Sequence, residues 1–173
     1  FRLSEEKQPL LFLEICAGIK NQIRGLKVFI AGIGQMRDEV SDRIIELGLQ
    51  DTVTLLGRRD DVHTLMSIAT LLLLTSRHEG MPNVVLEAQA IGLPVVATNV
   101  GGISDCVQDG KSGFICEAND ARGLADACIR LLADEELGCR MGAAAREHIR
   151  EDFNASKVIG QFLSLTVAPE NRS

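Results

Sequence analysis

The residues best suited to chemistry crowd into one stretch, Glu79 to Gly102, EGMPNVVLEAQAIGLPVVATNVGG. Glu79 and Glu87 bracket a turn and the start of a helix, with Pro82 in its first turn. Pro and Gly ahead of a helix leave backbone N–H groups without intrahelical acceptors, which makes an anion site. Glu87 falls one turn after Asn83 on the same face. Two carboxylates flanking an amide cradle suit a polyhydroxylated ligand that also carries phosphate. The carboxylates accept from hydroxyl groups, and the amides donate to the anion or to carbonyl oxygens. Acids alone would repel phosphate, so cations must come from elsewhere, and Arg2 and Lys7 in FRLSEEK are the candidates. On spacing alone, two Glu eight residues apart equally describe a solvated helix start. His78 by itself reads more simply as a polar turn residue than as a base.

Two other turns could touch a ligand. In AGIGQMRDE, Gly32-Ile33-Gly34 follows a strand and opens a helix, but Arg37 stands where a dinucleotide fingerprint would have its third Gly. A tight turn needing an unusual backbone angle accounts for it as well as phosphate contact does. In GRRDDV, Arg58 and Arg59 could meet an anion or simply sit in water, with Arg59 and Asp60 pairing on the surface.

The elements that must carry these turns alternate. Strand-type apolar runs occur at 27–31, 51–57, 70–76, 93–99 and 113–117. Helix-type periodicity occupies 6–22, 36–49, 59–69, 82–92, 102–107, 119–134 and 135–153, with a last amphipathic segment NASKVIGQFLSL at 154–165. Val84, Val85, Ala88 and Ile91 form the expected buried stripe of the helix after Pro82. FRLSEEK reads as the tail of a strand. This alternation predicts an α/β fold, a Rossmann-like three-layer sandwich with a central parallel sheet, whose ligands bind outside the carboxyl ends of the strands.

Composition agrees. The 173 residues are 46% hydrophobic with neither Trp nor Tyr, as in a sheet of Leu, Ile, Val and Ala flanked by helices. A net charge of −6 argues against nucleic acid as the main partner. The five Cys have no metal-ligand spacing and read as reduced, small buried hydrophobes, which points to the cytoplasm. No apolar run approaches the roughly 20 residues of a membrane span.

In order and spacing, FRLSEEK, VFIAGIG, LGLQDTVTLLGRRDDV, TSRHEGMPNVVLEAQAIGLPVVATNVGG and DGKSGFI closely resemble the C-terminal, donor-binding half of the group 1 retaining glycosyltransferases, two-domain enzymes of GT-B architecture. The likeness runs from Phe1 to about Phe153 and is most specific from Glu79 to Glu87 and the GLPVVATNVGG that follows.

The resemblance implies roles. Glu79 would contact sugar hydroxyls near the reaction centre, and Glu87 the ribose hydroxyls of the nucleotide. The backbone of Gly80, Met81, Pro82, Asn83 and Val84 would lie along the donor sugar and phosphates, and Arg2 and Lys7 would grip the diphosphate. Arg58 would stand where the backbone meets the base, and Gly32 would face the nucleotide. Gln8 replaces the Gly usual in this family.

The substrate expected is a nucleoside diphosphate sugar, with no cofactor and no metal. The product belongs to polysaccharide or glycolipid assembly. Residues 1–173 would form the donor domain, inactive without an N-terminal acceptor domain, with 154–173 as a C-terminal helix and tail. The expected location is cytoplasmic, with peripheral association at the inner membrane face through the full-length protein. Two other classes remain on the table. One is a nicotinamide-dependent Rossmann oxidoreductase, weakened by the missing third Gly. The other is a non-catalytic nucleotide-binding or assembly domain, weakened by the intact Glu79, Glu87, Arg2 and Lys7.

Overall fold

The computed structural model describes residues 2–153. A single 3-10 turn, Glu5–Lys7, leads into α1 (Pro9–Lys20). Then follow β1 (Val28–Ala31), α2 (Arg37–Glu46), β2 (Val53–Gly57), α3 (Val62–Ser67), β3 (Leu72–Leu74) and α4 (Asn83–Ala90). The order closes with β4 (Val95–Thr98), α5 (Ile103–Cys106), β5 (Gly113–Cys116), α6 (Ala121–Ala133) and α7 (Glu135–Asp152). Every strand pairing is parallel, as strand–helix alternation requires.

Local chemistry sets the helix ends. Pro9 occupies the first turn of α1, where its missing N–H costs nothing. Asp120 and Asp134 cap α6 and α7, accepting from Gly123 N and Leu137 N at 2.9 Å each. β4 is buried along its whole length, with Val95, Val96 and Ala97 fully enclosed. Each buried Val is worth roughly 1.5–3 kcal/mol, which anchors the ends of β3, β4 and β5 relative to the helices.

Several expectations need correction. FRLSEEK does not end a strand among the described residues. Its acids and Lys7 make the 3-10 turn, because Gln8 adopts a left-handed conformation that turns the chain into α1. The ladder is not one sheet but two, β1–β2 and β3–β4–β5. β1 and β3 do not pair with each other. Their residues Val28, Phe29, Leu72 and Leu73 line one apolar cavity of about 450 Å³, with Cys16 of α1 at its wall. β3 is three residues long where seven were expected, because Thr75 and Ser76 leave the ladder to make side-chain bonds. In α4, Val85 and Ala88 are buried, but Ile91 faces outward and Gln89 takes the inward position, its amide donating to Ser112 O at 3.2 Å. The expected segment at 154–165 lies outside the described residues.

The core forms two apolar clusters. One gathers α1, α2 and α6 around Leu13, Ile15, Val40 and Leu124. The other sits beneath α4, α5 and β4 around Val85, Val95 and Ile103. The second is the platform under the turns that follow β3 and β4.

Candidate donor site

The site is built on buried hydroxyls. Thr75 and Ser76 follow β3 and Thr98 ends β4, and all three are buried. Buried hydroxyls need partners, and these point toward the turn. Thr98 Oγ1 donates to Ser76 O at 2.6 Å. Thr75 Oγ1 donates to Lys7 O at 3.0 Å. Ser76 Oγ donates to Glu79 Oε1 at 2.6 Å. Arg77 N adds a backbone bond to Glu6 O at 2.8 Å. The turn after β3 is thereby fastened to the turn before α1.

That fastening brings together two residues separated by 72 positions: Lys7 Nζ lies 2.5 Å from Glu79 Oε1. The Glu79 side chain is only 9% exposed and that of Lys7 21%, so the pair is largely out of solvent. Lys7 and Ser76 both use Oε1, so Oε2 of Glu79 keeps its acceptor capacity. Two of the three ammonium donors of Lys7 remain for another anion. A carboxylate, a cation and an open acceptor thus share one spot at the C-terminal ends of β3 and β4.

The backbone around it is close-packed. Gly102 N donates to Gly80 O at 3.0 Å and to Glu79 O at 3.3 Å, so the GG turn after β4 lies against the Glu79 turn. A Cβ on Gly101, whose φ is +54°, would overlap Glu79 O, and one on Gly102 would overlap Gly80 O. The two glycines of NVGG are there for this approach.

Pro82 is the N-cap of α4, in extended conformation (φ −78°, ψ 100°). Its carbonyl accepts from Val85 N at 2.9 Å, and the Asn83 and Val84 amides open out of the helix start. Asn83 and Met81 are exposed, Val84 half-buried. Glu87 lies one turn into α4, half-buried, and makes no ion pair among the described residues.

The remaining expected residues gather less tightly. Arg2 is exposed beside Leu3, Ser4, Glu5, Glu6 and Gln35, which line a shallow polar depression. Leu3 N donates to Ile33 O at 3.0 Å and Leu3 O accepts from Met36 N at 3.2 Å, so Arg2 stands at the β1–α2 turn. A Cβ on Gly34 would overlap the Leu3 backbone. The second Gly of GIG therefore admits the N-terminal segment, and Leu3 O occupies the start of α2 where a dinucleotide pyrophosphate would sit. The Gly32 N–H is spent on Gly57 O at 2.7 Å, so Gly32 can offer a ligand close approach but no donor. Arg58 projects into solvent with its side chain 80% exposed, 3.8 Å from Asp60.

Sequence reasoning missed Thr75, Ser76 and Thr98 as parts of this site. The available signal was a hydroxyl pair ending an unbroken Leu run in LLLLTS, and a Thr ending VVAT. Among the described residues, no group of three or more His, Cys, Asp and Glu is placed to hold a metal ion, and no helix is long and apolar enough to cross a membrane.

Residues 1–148 match the family of glycosyl transferases group 1. The chain belongs to that family. A curated relative, N-acetyl-alpha-D-glucosaminyl L-malate synthase of Bacillus anthracis, is 39% identical over 136 residues, covering 79% of this chain and 36% of its own length. Among solved structures, a mutant of S. aureus TarM in complex with fondaparinux, alpha-GlcNAc-glycerol and UDP superposes with a TM-score of 0.90 at 26% identity, over 96% of this chain and 34% of TarM. Anabaena HepE in complex with UDP gives a TM-score of 0.87 at 25% identity, over 96% of this chain and 46% of HepE. The chain thus spans between about a third and a half of these group 1 glycosyltransferases, and its fold is that of the GT-B neighbours.

Proposed function

We propose that this chain is the nucleotide-sugar-binding half of a retaining glycosyltransferase that transfers a hexosyl group to an acceptor in polysaccharide or glycolipid biosynthesis. The observation that carries the reading is the Lys7–Glu79 pair, held by Ser76 in the turn that leads into the start of α4. Similarity to proteins solved with UDP supports a nucleoside diphosphate as the anion.

In this reading the diphosphate lies between Lys7, Arg2 and the start of α4. As the glycosidic bond to the diphosphate breaks, negative charge grows on the leaving oxygen. The Lys7 ammonium and the α4 amides stabilise that charge from fixed positions, which costs no reorganisation during the step. Glu79 Oε2 accepts from a sugar hydroxyl, and its carboxylate favours the positive character that develops at the anomeric carbon. Glu87 accepts from the ribose hydroxyls. The N-terminal half of the whole protein would supply the acceptor. Leu3 at the head of α2 counts against the nicotinamide reading, because it takes the place of the pyrophosphate.

The test is donor turnover by the whole polypeptide. Release of UDP from UDP-sugars should depend on the protein and fall by at least about 100-fold in Glu79→Gln, the scale expected when one preorganised polar group is lost. Proton NMR of the transferred sugar should show the anomeric configuration of the donor. Inversion would refute the retaining step. Reduction of NAD by the same protein, without release of any nucleoside diphosphate, would refute the transferase.

A further inference from the structure

We propose that Gln8 is a positioning residue of the donor site, a latch that fixes Lys7 against Glu79 and ties the β5–α6 turn to the same point. This rests on the donor reading above and adds to it a residue whose side chain has no part in holding the ligand.

The backbone at Gln8 is left-handed, φ 47° and ψ 55°. Glycine takes this conformation freely, which explains the Gly usual at this position in the family. A longer residue persists there only when its surroundings over-determine it. Here they do. Gln8 is 8% exposed, and its amide sits among three turns. With the amide oriented so that donors face acceptors, Nε2 donates to Thr75 O at 2.8 Å and Oε1 accepts from Arg77 Nε at 3.1 Å. The third partner is the side-chain amide of Asn119, which, turned to match, donates its Nδ2–H to Gln8 Oε1 over 2.9 Å. Asn119, at φ 65°, is the other non-glycine residue with positive φ among the described residues. Two turns that both carry an unfavourable backbone angle are thus bonded side chain to side chain.

The latch closes around the reactive pair. Thr75 Oγ1 donates to the carbonyls of Lys7 at 3.0 Å and Gln8 at 3.3 Å. Arg77 N donates to Glu6 O at 2.8 Å. Residues 6–8 are thereby stitched to residues 75–77 along both backbone and side chain, and the Lys7 ammonium is presented to Glu79 from a backbone anchored on either side. Such preorganisation raises affinity by removing ordering costs at binding. A Gly at position 8 would keep the turn and lose the latch.

The experiment is calorimetric titration of the chain with UDP, comparing wild type, Gln8→Gly, Lys7→Ala and the double variant. Gln8→Gly should melt within a few degrees of wild type, since Gly accepts the backbone angle, and should lose about 5- to 10-fold in UDP affinity. On the Lys7→Ala background the same substitution should change affinity less than about 2-fold, because the group it positions is gone. Gln8→Asn, which tolerates the angle but is too short to reach Thr75 and Arg77, should behave as Gln8→Gly does and covers the case in which the latter folds poorly. Unchanged affinity in both variants overturns the proposal. So does an equal loss with and without Lys7, which would make Gln8 a general stabiliser. Folded wild-type protein that ignores UDP, and GDP and ADP in its place, overturns the donor reading and this proposal together, whereas a silent Gln8 variant of a nucleotide-binding protein overturns only the latch.

Discussion

The turn after β3 and the turn after β2 carry similar charges and stand at the same end of their strands, yet they hold those charges in opposite ways. After β2, Arg59 binds Asp61 through two bonds of 2.7 and 2.6 Å, and Arg58 lies 3.8 Å from Asp60. All four side chains are well exposed. The guanidinium of Arg59 holds the Asp61 carboxyl below the usual carboxylate range, and its own pKa rises through the same bonds. Each partner comes from a residue two positions away, and water can replace it. After β3, Glu79 finds Lys7 from 72 positions away, adds Ser76, and is nearly enclosed. The lesson is that charge and position at a strand end do not make a site. A carboxylate held out of water by a partner distant in sequence is a costly arrangement, and of these two turns only the one after β3 maintains it.

The largest effect that would sharpen this contrast comes from the backbone. Gly101→Ala places a Cβ into Glu79 O at a residue with φ +54°. It should cost at least about 3 kcal/mol in denaturant unfolding and abolish nucleotide binding. An Ala variant of normal stability would mean that the two turns are not locked together. Next, Lys7→Met should cost about 2–3 kcal/mol by stranding the enclosed carboxylate of Glu79, and should weaken UDP binding by at least about 10-fold. If stability alone fell and UDP binding held, the pair would be structural and not a ligand site.

Thiol titration probes the apolar cluster under α1 and α6. Burial pushes the Cys16 thiol up from 9.0 to about 12 and raises Cys128 as well. A thiol whose folded pKa lies above its unfolded value lends stability that is full below the unfolded pKa and lost as pH rises through the folded one. Stability should therefore decline from about pH 9 toward pH 12. The exposed Cys139 should react with a thiol reagent well before Cys16 and Cys128. Fast labelling of Cys16 in the folded protein would show the cluster to be open. The smallest effect is expected after β2. Arg59→Ala should change stability by no more than about 0.5 kcal/mol, as solvated pairs do. A larger loss would erase the contrast between the two turns.

Much of the fold was legible in the sequence. Alternating apolar runs and helical periods placed the five strands and seven α-helices found among the described residues, because the period of each element is clean. What failed was whatever depended on tertiary partners. Strand β3 is shorter than LLLLTS suggests because Thr75 and Ser76 bond sideways, and Ile91 lost its inward place to Gln89 because Ser112 O offers Gln89 a partner. The division of the ladder into two sheets could not be read from hydrophobicity, since both edges are equally apolar. At the site, the likeness of EGMPNVVLE to a family motif pointed to Glu79, and the structure supplied Ser76 and brought Lys7 to it. GIG read as half a dinucleotide fingerprint, yet Gly34 serves to admit the Leu3 backbone, a contact across 31 positions that no local pattern encodes.

The central claim is that the Lys7–Glu79 turn holds a nucleoside diphosphate. The most direct measurement is the melting temperature of the chain with UDP, GDP, ADP and NAD at millimolar concentration, in wild type, Lys7→Ala and Glu87→Ala. One nucleoside diphosphate should stabilise wild type by about 1.4 kcal/mol at ten times its Kd, on the order of 3–5 °C for a domain of this size, and both variants should lose the shift. Stabilisation by NAD alone, or a nucleotide shift that survives both substitutions, would contradict it.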